Sequence, residues 1–149
     1  MSFVNTVDVI GDNALMDSII ERTITEIADN MTTSIGAYAF RDCSKLTTAD
    51  FAAATSIGAY TFQICSKLKA IILRSETMAT LSNTYALDST PIASGTGYIY
   101  VPRALLSDTD ETKDYRRATN WSDYAAQFRA LEDYTLDGTT TGALDPNKI

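Results

Sequence analysis

Large apolar residues in the middle of this chain come in bursts that return at one fixed interval. Thr33-Ser-Ile-Gly-Ala-Tyr-Ala-Phe-Arg-Asp-Cys-Ser-Lys-Leu46 is followed 22 positions later by Thr55-Ser-Ile-Gly-Ala-Tyr-Thr-Phe-Gln-Ile-Cys-Ser-Lys-Leu68, and 11 of 22 positions are identical between 33–54 and 55–76. A unit this short cannot bury an apolar face alone, so successive copies must stack. Ile35 and Ile57 are the apolar anchors, and Gly36 and Gly58 let the chain turn at little steric cost. Phe40 and Phe62 follow one helical turn later, with Cys43 and Cys65 on the same side, which predicts a short helix in each unit. After a Ser-Lys corner, 46–51 and 68–73 read as strands. Leu46, Ala49 and Phe51 point inward there, as do Leu68, Ile71 and Leu73. Each coil then buries four or five large side chains, worth roughly 1.5–3 kcal/mol apiece before entropy is charged.

Weaker copies flank the pair. Ile10-Gly-Asp-Asn-Ala-Leu15 repeats the anchor with Leu in place of Phe, and Ile24-Thr-Glu-Ile27 sits where a strand is expected, in a register the pattern leaves ambiguous. Downstream, Tyr85-Ala-Leu87 and Tyr98-Ile-Tyr-Val101 form a degenerate third coil. Pro102 ends that last strand because it cannot donate to a ladder. Residues 104–118 are polar and partly helical by pattern, with an acidic loop at Asp108-Thr-Asp-Glu111. Asn120 is placed to cap a second helix, with Asp123 completing a capping box. Trp121, Tyr124, Ala125, Phe128 and Leu131 recur at helical spacing and make one apolar face. The segment 132–149, with Asp-Gly-Thr-Thr-Thr-Gly and Asp-Pro, reads as an extended or mobile tail.

The unit Ile-Gly-x-x-Ala-Phe-x-x-Cys-x-x-Leu resembles the BspA-type leucine-rich repeat over roughly residues 7–101. The resemblance implies an α/β solenoid: a short right-handed coil stack with a parallel sheet on one face and short helices on the other. The Val-Pro … Ala-Thr-Asn-Trp-Ser … Tyr-Ala … Phe stretch resembles the closing module that often follows such repeats, with extra residues around 107–112. On this reading 1–32 is an N-terminal capping repeat, 33–101 holds the leucine-rich repeats, 102–131 is a C-terminal helical cap and 132–149 is the tail. The resemblance also implies adhesion or protein recognition and no enzyme activity. The repeats with this ending look similar, too, to structural proteins of phages and prophages of gut bacteria.

Composition narrows the function further. The 149 residues carry a net charge of −7, which repels a phosphate backbone and an anionic membrane surface. Histidine is absent, so the commonest general base and transition-metal ligand are missing and no nucleophile–base pair can be assembled. No catalytic residue, metal site or cofactor is therefore expected. Cys43 and Cys65 occupy equivalent repeat positions and read as buried thiols, with a disulfide or a reactive thiol as the other reading. Asp108, Asp110, Glu111 and Asp114 carry calcium-type oxygens without an EF-hand pattern, and read as a solvated charge run. The first ten residues have neither a basic nor a long apolar region, so no secretory signal is expected. No apolar run approaches the ~18 residues a membrane span needs.

The candidate site is the outer face of the sheet. Thr48, Asp50, Ala70, Ile72, Tyr98 and Tyr100 alternate with the core residues and should point outward, with Ile72, Tyr98 and Tyr100 as an exposed apolar column. Asp50, Ile72, Tyr98 and Tyr100 are the binding residues expected there. The partner is a protein or a surface glycan, with neither nucleic acid nor membrane insertion, and a homo-oligomer is left open. The expected role is a phage virion component of tail or head fibre type, acting in recognition or as a spacer and assembled in the bacterial cytoplasm. The alternative is a fragment of a bacterial cell-surface adhesin.

Overall fold

The computed structural model describes residues 2–3, 9–12, 14 and 23–133. Its strands are β1 (Ser2–Phe3), β2 (Val9–Ile10), β3 (Glu26–Asp29), β4 (Ser34–Ile35), β5 (Thr48–Phe51), β6 (Ser56–Ile57), β7 (Ala70–Leu73), β8 (Thr80–Leu81), β9 (Tyr98–Val101) and β10 (Phe128–Ala130). They form two parallel sheets, one in the order β1-β3-β5-β7-β9-β10 and one in the order β2-β4-β6-β8. Up to β8 the chain alternates between the two sheets, β9 and β10 extend the larger one alone, and the core lies between the sheets.

The repeat length is the pairing register. Thr48 lies opposite Ala70, Ala49 opposite Ile71 and Phe51 opposite Leu73, which are equivalent positions of the 22-residue unit. Ile35 meets Ile57 in the smaller sheet by the same rule. Leu46, Ala49, Phe51, Leu68, Ile71, Leu73, Ile99 and Val101 are all buried, as the alternation requires. The Phe40 and Phe62 rings stack at 5.6 Å between centroids, with Phe51 tilted against both. The ambiguous upstream copy resolves with both Ile24 and Ile27 buried, Ile27 on β3 and Ile24 just before it.

The short helices expected around Phe40–Cys43 and Phe62–Cys65 are turns instead. Tyr38, Asp42, Tyr60 and Ile64 have φ near +60°, which interrupts any helix every few residues. The amides bond between coils: Tyr38 N to Ala59 O at 2.9 Å, Phe40 N to Thr61 O at 2.9 Å and Asp42 N to Gln63 O at 2.8 Å. Between them Ala39 N, Arg41 N and Cys43 N bond back to the carbonyls of Gly36, Tyr38 and Phe40, so alternate amides run along the stack where a helix would have kept them all along the chain. The repeat glycines answer to the same closeness. Gly36 and Gly58 do not have positive φ, yet a Cβ on Gly58 would lie 2.4 Å from Ala37 N, and one on Gly36 would lie 2.4 Å from Asp12 N. Their role is backbone-to-backbone approach between coils, not turning.

The C-terminal third departs from expectation too. Five 3-10 turns, η2 (Arg103–Leu105), η3 (Glu111–Lys113), η4 (Tyr115–Arg117), η5 (Trp121–Gln127) and η6 (Leu131–Asp133), replace the two helices. An earlier turn, η1 (Thr84–Leu87), belongs to the third coil. Phe128, assigned by spacing to a helical face, lies on β10, paired in parallel with Ile99 of β9. Asn120 has φ 67° and makes no side-chain cap; its amide donates to Leu81 O at 2.5 Å. The rest of the segment follows suit. Ala79 N donates to the Tyr115 hydroxyl at 2.6 Å, Trp121 Nε1 donates to Ala79 O at 2.7 Å, and Gln127 Nε2 donates to Gly97 O at 2.8 Å. Tyr115, Asn120 and Trp121 thus meet backbone polar groups at and around β8, the edge strand of the smaller sheet, while Gln127 meets the residue just before β9. The tail from 134 onward and Leu15 lie outside the described residues.

Candidate functional site

Two rows of side chains cross the outer face of the larger sheet. Glu26, Thr48, Ala70 and Tyr98 are in register, and Ala28, Asp50, Ile72, Tyr100 and Arg129 form the parallel row beside them. The strands bring the four expected binding residues together on one face, pointing away from the core. Their exposure is another matter. Ile72 is 0%, Tyr100 3% and Asp50 6% exposed, and only Tyr98 is half-buried.

That corrects the exposed column read from alternation. Ile72 and Tyr100 form a second, small apolar cluster on the outside of the sheet, with Ala70, Tyr98 and Leu131 packed against it. Tyr98 and Tyr100 meet edge to face at 6.4 Å. The Arg129 guanidinium stacks 4.5 Å from the centre of the Tyr98 ring. Arg74 reaches back to grip Asp50 with two hydrogen bonds of 2.8 Å, and that contact pushes the guanidinium pKa further up despite partial burial. Alternation gives direction, but it is silent on which residues fold over the face. Arg74, beyond β7, closes over Asp50, Arg129 lies over Tyr98, and Leu131, distant in sequence, packs against Ile72 and Tyr100.

A recess of about 280 Å³ remains next to this cluster, lined by Thr47, Thr48, Lys69, Ala70, Thr96, Tyr98 and Tyr100. It exists because Ala70 carries one methyl group where its row neighbour Tyr98 carries a ring. Thr47, Lys69 and Thr96 are exposed on the rim. The sequence reading missed these three because Thr47 and Lys69 fell within its strands but off their outward positions, and Thr96 fell before the last one; all three precede the observed strands. The signal available was Ala70 itself, a small residue between larger ones in an outward row.

The other candidate residues have structural partners. Cys43 and Cys65 are free and fully buried, and Cys65 Sγ contacts Phe40 O at 3.0 Å. Hydrogen bonding to Cys43 and burial hold the Cys65 thiol well above its ordinary pKa, so it stays protonated and unreactive. The acidic run is less solvated than its composition suggested. Asp114 is 1% exposed and bonds Arg116, whose Nε lies 2.8 Å away, while Arg117 lies 3.3 Å from its other oxygen. Burial raises its pKa, but the bonds from Arg116 prevail and leave it lowered. Asp108 pairs with Arg116 at 2.8 Å, and Asp110 accepts from Thr112. Carboxylates engaged in this way are scaffold for the loop.

Among the described residues no helix is long and apolar enough to cross a membrane. No curated protein and no solved structure matches the chain. The BspA type Leucine rich repeat region family matches residues 1–98 in six copies. With an Ile-Gly-Ala-Tyr-x-Phe-x-x-Cys-x-x-Leu unit whose length is also the strand register, this chain belongs to the BspA-type leucine-rich-repeat family.

Proposed function

We propose that this protein is a non-catalytic binding module whose contact surface is the outer face of the six-stranded sheet, centred on the recess over Ala70. The observation that carries the reading is the recess itself. It joins an aromatic ring, threonine hydroxyls and a lysine on a rigid parallel sheet, while the surrounding apolar residues are already covered. Such convergence of polar groups beside an aromatic surface is the usual composition of a recognition site. Residues 102–133 act in this reading as the closing piece of the solenoid, supported by the contacts of Tyr115, Asn120 and Trp121 with the β8 region.

The setting we infer is a virion, with the chain as a recognition or spacer component of tail or head fibre type. The similarity of the repeats and their ending to phage structural proteins supports it. A cell-surface adhesin would present the same face to the same kind of partner, so the two settings differ in location and not in contact chemistry. Immunogold labelling of purified particles against labelling of intact cells separates them.

The contact surface is tested with an Ala70→Arg variant, which fills the recess with a long side chain. Wild type and variant are compared on a panel of immobilised surface proteins and glycans, with a thermal melt of each. Loss of binding at an unchanged melt supports the sheet face. Equal binding by both moves the contact elsewhere and ends this reading.

A further inference from the structure

We infer that the recess over Ala70 takes a single acidic sugar residue, a saccharide unit bearing a carboxylate. The inference rests on the proposed sheet-face contact and goes further by naming the ligand chemistry.

Size comes first. A stable protein–protein contact buries about 800 Å² per partner around apolar anchors. Here Ile72 and Tyr100, the residues that could anchor such a contact, are already buried by their own chain. What remains is a recess of about 280 Å³, below the range of drug-sized ligand sites and suited to one six-membered ring. The occupant is therefore a compact unit.

The walls select its chemistry. Arg129 stacks on Tyr98 from the β10 side, while the recess lies toward β5 and β7, so ring surface faces the ligand. A sugar's C–H face packs on such a surface, with Ala70 beneath. The rim hydroxyls are set to receive sugar hydroxyls. Thr47 Oγ1 donates its proton to Thr25 O at 3.0 Å, and Thr96 Oγ1 donates to Pro91 O at 3.3 Å. With their protons engaged, both oxygens present lone pairs to a ligand's O–H groups. Thr48 adds a third hydroxyl.

Charge supplies the last element. Lys69 is exposed at the rim on a chain of net charge −7. Arg129, on the far face of the Tyr98 ring, donates to Ala126 O and Phe128 O, so Lys69 is the cation of the recess itself. Asp50, the nearest acid in the neighbouring row, is neutralised by the two bonds from Arg74. Glu26 shares the row of Ala70 but lies two strands away, about 10 Å at ordinary strand spacing. The local balance at the recess is thus positive and favours a carboxylate facing Lys69.

The test is a ¹⁵N-resolved titration of the full chain with glucuronate, N-acetylneuraminate, glucose and N-acetylglucosamine. The expected result is shift changes confined to the amides of Thr48, Lys69, Ala70 and Tyr98, with the acidic sugars binding at least about fivefold tighter than the neutral ones. Lys69→Gln should remove that preference and keep the weak neutral binding, and added salt should weaken only the acidic sugars. Lys69 is exposed, so this variant keeps its fold, which a melt checks. Equal binding of acidic and neutral sugars overturns the assignment of charge. Absence of any localised shift overturns the saccharide itself. If, in that case, Ala70→Arg still abolishes binding on the wider panel, the sheet-face contact stands and the inference alone has failed.

Discussion

Gly58 and Ile64 sit on one turn and show how stacking overrides single-residue preference. Gly58 has an ordinary backbone, and its missing side chain makes room for Ala37 N, 2.4 Å from where a Cβ would stand. Gly58→Ala should therefore cost roughly 3 kcal/mol, because backbone and not a mobile side chain must yield. Chemical denaturation of the variant checks this, and a loss below half of that would mean the coils can separate at little cost. Ile64 has the opposite difficulty: a β-branched residue held at φ 64° with its side chain exposed. The preceding coil places Asp42 at the equivalent position with φ 61°. Ile64→Asn should stabilise the protein by about 0.5–1 kcal/mol by relieving left-handed strain. A lower denaturation midpoint would show that the Ile64 side chain packs better than its exposure implies.

At the scale of the elements, two apolar columns hold the coils in register. The inner column runs through Phe40, Phe51 and Phe62, all fully buried. Phe62→Ala should cost about 3–5 kcal/mol and, since adjacent coils stabilise one another, should loosen both neighbours of its coil in hydrogen exchange. The outer column is Ile72 and Tyr100, with Ala70, Tyr98 and Leu131 packed against them. A double change of Ile72 and Tyr100 to Ser would be silent in stability if both were exposed. Buried as they are, the pair should cost at least about 3 kcal/mol. A melt unchanged from wild type would show that the cover over β7 and β9 does not hold in solution.

At the scale of the molecule, pH tests how the C-terminal segment joins the coils. Burial raises the Tyr115 hydroxyl from 10.0 to about 12, and burial together with Asp123 and Asp88 does the same for Tyr124. In the unfolded chain both ionise at their ordinary value. Their contribution is therefore complete below pH 10 and is lost as pH rises from 10 toward 12. The melting temperature should fall across that interval, with loss of Trp121 burial visible in fluorescence because Tyr115 and Trp121 are packed together. Tyr115→Phe should flatten part of the fall. A melting temperature constant through that window would place both hydroxyls in water. Asp114 works in the opposite direction: its lowered pKa contributes stability at neutral pH that is lost in acid, below the ordinary carboxylate value.

Much of this architecture was legible because a repeat is a statement about space. An identity pattern at a fixed interval places equivalent residues side by side, so strands at 46–51 and 68–73, their parallel pairing and their inward faces could be read without coordinates. The structure starts each two residues later, at 48 and 70, and adds the strand at 98–101, read from its own alternation, 28 residues on. Inward or outward direction is local geometry, carried by the two-residue alternation of a strand. What the alternation could not carry was everything that depends on the neighbouring coil or on distant chain. The segment from Phe40 to Cys43 looks helical by spacing, and forms turns because alternate amides there find carbonyls one coil away. Gly36 and Gly58 look like turn residues and are points of backbone contact. Phe128 fits a helical face until β9 offers it an open edge to pair with. The outward residues Asp50, Ile72 and Tyr100 were placed correctly in direction, but their burial was decided by Arg74 and Leu131, which meet them only in the folded state. The sequence by itself determined the period, the strand faces and the absence of histidine chemistry, because these are properties of order along the chain. Tertiary structure decided which outward residues reach solvent, because exposure is set by what else arrives at the same surface.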